Sequence, residues 1–260
     1  MSYQFIKVER EDHLTIFTLN RPEVMNALHS PAHFELHEAF DAFAADPEQW
    51  VGIVTGAGDR AFSAGNDLKH QATGGEMRSP PSGFAGLTSR FDLNKPLIAA
   101  VNGIAMGGGF EIALACDIIV AAEGAIFALP EPRVGLAALA GGLHRLPRAI
   151  GVKRAMGMIL TGRRVSAAEG ESLGFVNEVA SSSDLMSVAR RWAAQISELS
   201  PMSIRASKEA VFQGLDELTL KDAILGQNKY PAVGALFRSE DFVEGPMAFA
   251  QKRTPNWKGR

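Results

Sequence analysis

Apolar and polar positions alternate along Tyr3-Gln4-Phe5-Ile6-Lys7-Val8-Glu9 and again along His13-Leu14-Thr15-Ile16-Phe17-Thr18-Leu19. This period of two predicts an antiparallel hairpin that turns at Arg10-Glu11-Asp12. Asn20-Arg21-Pro22 breaks the pairing. Ser30-Pro31 is a suitable N-cap and first-turn pair, and Phe34, Leu36, Phe40 and Phe43 then recur at helical spacing until Asp46-Pro47. Val51-Gly52-Ile53-Val54-Thr55 is apolar throughout, as a strand buried on both faces is, and Gly56-Ala57-Gly58-Asp59 closes it.

Residues 70 to 90 are rich in Gly, Ser, Pro and Thr, which predicts a mobile loop. A second apolar run, Pro96 to Val101, reads as a strand ending at Asn102-Gly103. Further strands are predicted at Asp117 to Ala122, with a turn at Glu123-Gly124, and at Ala125 to Leu129, which extends to Pro130-Glu131-Pro132. Ser166-Ala167-Ala168-Glu169 is a capping box that opens a short helix closed by Gly174, with a strand at Phe175 to Val179. Strands thus alternate with helices as far as Val179. From Asp184 onward helix dominates, punctuated at Pro201, Gly214, Pro231 and Pro246, so the pattern is an α/β core with a helical tail. No sequence repeat is apparent.

With 260 residues, 46% hydrophobic and 21% charged, the chain has ordinary globular composition and length enough for a sizeable core. A net charge of −3 and a pI of about 6.1 speak against nucleic acid as a partner. Cys116 is alone, which excludes a disulfide framework and a cysteine metal site. No apolar run approaches the ~20 residues of a membrane span. Met1 to Glu9 lacks the basic-then-apolar order of a signal peptide, so the expected setting is cytoplasmic.

Candidate chemistry narrows quickly. His29, His33 and His37 are spaced for one helix face, but no third metal ligand accompanies them and the helix cap leaves His29 outside, so no metal site is expected. Ser63, in Phe62-Ser63-Ala64-Gly65, lacks the glycine two residues earlier that a nucleophile elbow requires. Gly107-Gly108-Gly109 fits neither the dinucleotide spacing nor a phosphate loop.

That triple glycine nevertheless follows a strand and precedes Phe110-Glu111-Ile112-Ala113-Leu114-Ala115, a helix start. Bare amides at a helix N-terminus favour developing negative charge, and Glu111 one turn in places an acid or base beside it. Glu131, fixed between two prolines, is the second carboxylate. The intervening helix and strand permit the two to meet in a poorly solvated pocket, where one would stay protonated as the other ionises. The alternative is two ordinary ion-paired surface glutamates, the more frequent fate of this residue type.

Several segments together resemble the crotonase (enoyl-CoA hydratase/isomerase) superfamily over nearly the whole chain. They are Asn20-Arg21-Pro22 with Asn26-Ala27-Leu28, Ala61 to Leu68, Lys95 to Gly103, Gly107 to Glu111, Cys116-Asp117, Phe127 to Glu131, Leu160-Thr161-Gly162 and Phe249 to Arg253. The resemblance implies an α/β spiral of ββα units over residues 1–195, holding the active site. Residues 196–260 would be a helical region for trimer formation and part of the coenzyme A site. It further implies a lyase of fatty-acid metabolism, a homotrimer or dimer of trimers, that holds a thioester enolate on two backbone amides. By motif position these are Asn66 and Gly108, each donor worth ~3 kcal/mol.

Both acid–base positions of the hydratases are filled, by Glu111 and Glu131. The implied reaction is water addition to a trans-2-enoyl-CoA, with no separate cofactor, since coenzyme A belongs to the substrate. Contacts to the acyl-CoA would come from Ala64, Asp67, Leu68, Leu136 and Leu139, with Phe249 and Lys252 reaching a neighbouring subunit's ligand. Where hydratases carry a Gly-Thr-Ile-Pro-Gly-type loop, this chain has Gly135 to Gly142 with Leu139 at the position of the water-holding glycine, which predicts a narrower pocket. Met158 to Arg164 and Tyr230 to Arg260 are more similar to the carnitinyl-CoA dehydratase branch, the alternative on substrate; no aromatic cage for a trimethylammonium group is evident. An isomerase or acyl-CoA hydrolase of this fold is disfavoured by the glutamate pair, and a non-catalytic or RNA-binding member by that pair and the acidic balance.

Overall fold

The structure, a computed structural model, describes residues 3–260; Met1 and Ser2, the start of the N-terminal stretch read above, lie outside the described residues. The strands are β1 (Ile6–Glu11), β2 (Leu14–Leu19), β3 (Val51–Gly56), β4 (Ala61–Ser63), β5 (Leu97–Val101), β6 (Ile104–Met106), β7 (Ile118–Ala122), β8 (Ile126–Ala128), β9 (Val165–Ser166) and β10 (Glu178–Ala180). The first helices are α1 (Ser30–Ala45), α2 (Leu68–Ala72), α3 (Gly108–Ala115), α4 (Gly142–Ile150), α5 (Val152–Thr161) and α6 (Ala167–Leu173). They are followed by α7 (Leu185–Ser197), α8 (Pro201–Asp216), α9 (Leu220–Gly226), α10 (Pro231–Phe237) and α11 (Glu240–Ala250).

Two sheets share the strands, in the orders β1-β2-β3-β5-β7-β10 and β4-β6-β8-β9. Apart from β1, the first sheet is parallel throughout. From β3 to β8 each turn of the chain sends one strand to the first sheet, a short one to the second, and then a helix. This is the spiral of ββα units that the resemblance implied. Corner residues hold successive turns in register. Asn102 Nδ2 donates to the carbonyls of Gly56 and Gly58 at 2.9 and 2.8 Å, tying the β5–β6 corner to the β3–β4 corner below it.

The long apolar runs reflect burial on both faces of the first sheet. Val54, Leu97, Ala99, Val101, Ile119 and Ala121 face a core that includes Phe17, Phe40, Phe43, Phe62, Phe110 and Phe127. The alternate residues Ile53, Ile98, Ala100 and Val120 face Leu185, Ala189 and Ala193 of α7. Beyond α7 the helices form a smaller cluster of their own around Ala206, Tyr230 and Val233. Lys208 anchors α8 to the sheet through Asp117 at 2.8 Å, and Asp241 accepts from the amides of Lys258 and Gly259 to fold the last residues back. Among the described residues, no helix is long and apolar enough to cross a membrane.

Four local expectations need correcting. The hairpin turns at Asp12-His13 rather than over three residues, drawing Arg10 and Glu11 into β1; an edge strand tolerates such charges. His29, not Ser30, is the N-cap of α1, because the Ser30 hydroxyl donates to the Glu76 carbonyl and accepts from the Arg78 amide, both at 2.6 Å. Residues 70–90 are not a free loop: Ser82, Ala85, Leu87 and Thr88 are buried around a single 3-10 turn, Phe84–Gly86, packed on α1. The last strand begins at Glu178 instead of Phe175, since Phe175 and Val176 are buried in the core and Asn177 only then bonds to Ile119 of β7. The strands β4 and β6, three residues each, carried no periodic signal.

Candidate active site

The site lies where α3 begins. Gly107 follows β6 as the N-cap of α3 with φ +53°, and the chain enters the helix with the Gly108 amide in its first turn, where helical N–H groups have no intrahelical partner. Each of the three glycines is held to that identity by a close neighbour. A Cβ on Gly107 would stand 2.7 Å from Glu131 Oε1, one on Gly108 would stand 2.6 Å from the Phe84 ring, and one on Gly109 would strike the Ser63 carbonyl oxygen.

Asn66 approaches from the preceding turn of the spiral. Leu28 donates to the Gly65 carbonyl and accepts from the Asp67 amide, so the Asn66 N–H between them points away from Leu28. Gly65, at φ +85°, brings this strand so near α3 that a Cβ there would lie 2.7 Å from the Gly108 nitrogen. Among the described residues neither the Asn66 nor the Gly108 amide has an acceptor. Two free backbone donors, one at a helix N-terminus, thus stand side by side.

Both carboxyls adjoin them. Glu111 is 3% exposed, and its Oε1 accepts from the Gly142 amide at 2.8 Å. Burial pushes its pKa up to about 7, helped by the nearby charge of Glu131; the Gly142 and Ala140 amides and the Arg145 guanidinium pull the other way. Glu131 begins the 3-10 turn Glu131–Val134, is also raised by burial, and has Oε2 buried without a hydrogen-bond partner. The structure therefore brings Glu111, Glu131, Asn66 and Gly108 together, and rules out the alternative of two solvated ion pairs.

The remaining predicted positions divide. Ala64 adjoins Gly65, and its amide donates to the Met25 carbonyl. Leu68 is exposed as the first residue of α2, while both oxygens of Asp67 are engaged, one by Arg21 at 2.9 Å and one by the His70 amide that it caps. Leu136 and Leu139 lie on the loop between the Glu131 turn and α4; Leu139 is 79% exposed. Phe249, 87% exposed on α11, and Lys252 just beyond it belong to the C-terminal helices, and this single chain does not bring them to the glutamates.

The three histidines part company. His29 packs edge-on against Phe5 and His70, His33 Nδ1 accepts from the Ala85 amide at 3.0 Å, and His37 pairs with Ser82. Ser63 is buried and donates to the Asn26 carbonyl, so its hydroxyl is occupied in the fold. Burial pushes the Cys116 thiol far up, leaving it inert. Two neighbours of the site had not been singled out: Phe84, whose ring stands against Gly108, and Arg145 on α4. The available signal for Arg145 was a basic residue directly before the buried Leu146 on a short helix.

A ββα spiral that sets two free amides beside one buried and one half-buried carboxyl defines a class of proteins able to stabilise an enolate and move protons around it. A family model described as enoyl-CoA hydratase/isomerase matches residues 9–260, and the chain belongs to that family. A carnitinyl-CoA dehydratase of Salmonella typhi is 48% identical over 250 residues, 94% of each chain. Among solved structures, an enoyl-CoA hydratase from Mycobacterium tuberculosis H37Rv superposes with a TM-score of 0.92 at 37% identity, covering 98% of this chain and 99% of that one. A carnitinyl-CoA hydratase from Mycobacterium avium gives 0.79 at 37% identity, with both chains fully covered.

Proposed function

We propose that this protein is a CoA-thioester hydro-lyase that reversibly adds water to the double bond of a 2-enoyl-CoA. The observation that carries the reading is the pair of carboxyls, buried Glu111 and half-buried Glu131, beside the Asn66 and Gly108 amides. The thioester carbonyl oxygen accepts from both amides. One glutamate, ionised, takes a proton from water as its oxygen bonds to Cβ, and the double-bond electrons move through Cα onto the carbonyl oxygen as an enolate. The other glutamate, protonated, delivers its proton to Cα as the carbonyl re-forms. Burial raises both carboxyls, Glu111 to about 7, which supports one acid and one base coexisting in the site.

Coenzyme A arrives as part of the substrate. Its contacts are proposed at Ala64, Asp67 and Leu68, with Leu136 and Leu139 beside the acyl group. Phe249 and Lys252 would serve a neighbouring subunit within a trimer or a dimer of trimers. Exposed apolar residues on α8 and α9, among them Phe212, Leu215, Ile224 and Leu225, support such assembly.

The second reading concerns the acyl group: the 48% identity to a carnitinyl-CoA dehydratase favours crotonobetainyl-CoA over a plain enoyl-CoA. Incubation with crotonyl-CoA, longer 2-enoyl-CoAs and crotonobetainyl-CoA, with product analysis, tests both. Hydroxyacyl-CoA is expected, and the preferred substrate selects the reading. A moved double bond, free CoA or no reaction across the panel would refute the hydro-lyase assignment. Glu111→Gln and Glu131→Gln should each lower the rate by about 10²–10⁴-fold.

A further inference from the structure

We propose that Arg145 is a positioning residue for Glu111, joining the turn that holds this carboxyl to the segment that walls the Gly108 amide. The guanidinium packs on one backbone segment and donates to another. Toward Glu111, Nη1 lies directly over the Gly141 backbone, where a Cβ would strike it. The next residue, Gly142, donates to Glu111 Oε1 at 2.8 Å. Toward Gly108, Arg145 Nη2 donates to the Thr88 carbonyl at 2.8 Å, the Thr88 amide donates to the Phe84 carbonyl at 3.1 Å, and the Phe84 ring abuts Gly108. The guanidinium also lies 5.9 Å from the centre of the Phe91 ring.

A planar fork suits this task, because it covers one backbone segment while donating to another; an ammonium on a flexible stem does not. Its charge acts on Glu111 from α4, and that of Glu131 acts on it from the 3-10 turn. Cys116 behind α3 and Arg148 one turn further along α4 are the other groups within influence of the guanidinium. His33 behind Phe84 is held neutral by burial. Among the described residues Arg145 makes no hydrogen bond to the proposed enolate donors or the proposed coenzyme A contacts, and it acts through what it holds.

The inference rests on the hydro-lyase reading for its kinetic consequence but not for its direct test. With 13C-labelled glutamate, the Glu111 carboxyl can be titrated by NMR without substrate, assigned by its loss in Glu111→Gln. In Arg145→Gln its midpoint should rise by about half a unit to one unit, because an opposing charge is gone. The kcat for the preferred enoyl-CoA should fall roughly tenfold or more, with KM little changed, because misplaced groups cost turnover rather than ligand binding. Arg145→Lys should leave the midpoint in place and still lower kcat, since charge is kept and the bridge is lost. An unmoved midpoint in Arg145→Gln overturns the proposal. Should that variant fail to fold, Arg145→Lys decides alone: full kcat overturns it, and reduced kcat at constant KM supports it. A wild-type protein that hydrates nothing refutes the reaction while leaving the titration result standing.

Discussion

Glu111 accepts a hydrogen bond at 2.8 Å from the amide of Gly142, 31 residues later in the chain. The bond joins the start of α3 to the start of α4 and holds a carboxyl inside an apolar wall. An amide donor favours the ionised form and burial opposes it; burial wins, and the balance falls near neutral pH.

That balance has a cost in stability. Glu111 has a folded-state pKa of about 7 against an ordinary 4.5, so between those values the native protein binds a proton that the unfolded chain does not. Its contribution is fully present below pH 4.5 and is lost as pH rises through about 7. Glu111→Gln should therefore be more stable than wild type at pH 8 by on the order of 3 kcal/mol, with the gap closing toward pH 4.5. Urea unfolding of both proteins across this range measures it, and equal stabilities at pH 8 would contradict the burial account.

His33 works in the opposite sense. Its ring accepts from the Ala85 amide and packs against Phe84, and burial lowers its pKa to about 4. Between pH 4 and the ordinary 6.5 the unfolded chain binds the extra proton, so stability rises with pH there and is lost on acidification. Wild type should lose about 3 kcal/mol from this group between pH 7 and 4, a loss absent from His33→Asn. Parallel stability curves for the two proteins would disprove it, as would an imidazole midpoint near 6.5 by NMR.

Gly65 separates chemistry from folding. Added carbon at this position meets the Met106 carbonyl at 2.6 Å and the Gly108 nitrogen at 2.7 Å, and the backbone has φ +85°. Gly65→Ala should lower stability by about 1–3 kcal/mol through strain. It should lower kcat by about a hundredfold or more, because the amide pair is spread apart. Thermal unfolding alongside steady-state kinetics checks this; a stable variant with full kcat would mean that the two amides are not the working pair.

Leu139 offers a change of preference without a change of stability. Its side chain is 79% exposed, so Leu139→Gly should alter chain stability by no more than about 0.5 kcal/mol beyond the backbone entropy of glycine. If the residue narrows the acyl site as proposed, kcat/KM should rise for longer 2-enoyl-CoAs relative to crotonyl-CoA. An unchanged ratio would remove Leu139 from the determinants of specificity.

Much of this protein was legible in local pattern. The apolar runs at Val51 and Leu97 declared strands buried on both faces, because a strand covered by helices on each side has no polar face to display. Strand, triple glycine and Glu111 in succession declared a helix start with bare amides and an acid one turn in. Those features are set by turn chemistry and side-chain period, which act over a few residues.

What the tertiary structure alone decided is which distant pieces touch. Asn66 stands beside Gly108 because Gly65 lets two successive turns of the spiral approach, and Glu131 reaches Gly107 because β6 and β8 pair in register. Strands β4 and β6 are too short to show a period, yet they set that register. Phe84 lies in a stretch whose composition reads as loop, and only burial against α1 and α3 gives it a place. Arg145 looks like any surface cation until α4 is laid over α3. Hydrophobic patterning acts along the chain; the meeting of amide, carboxyl and guanidinium depends on how sheets and helices stack across it, and there the site was made.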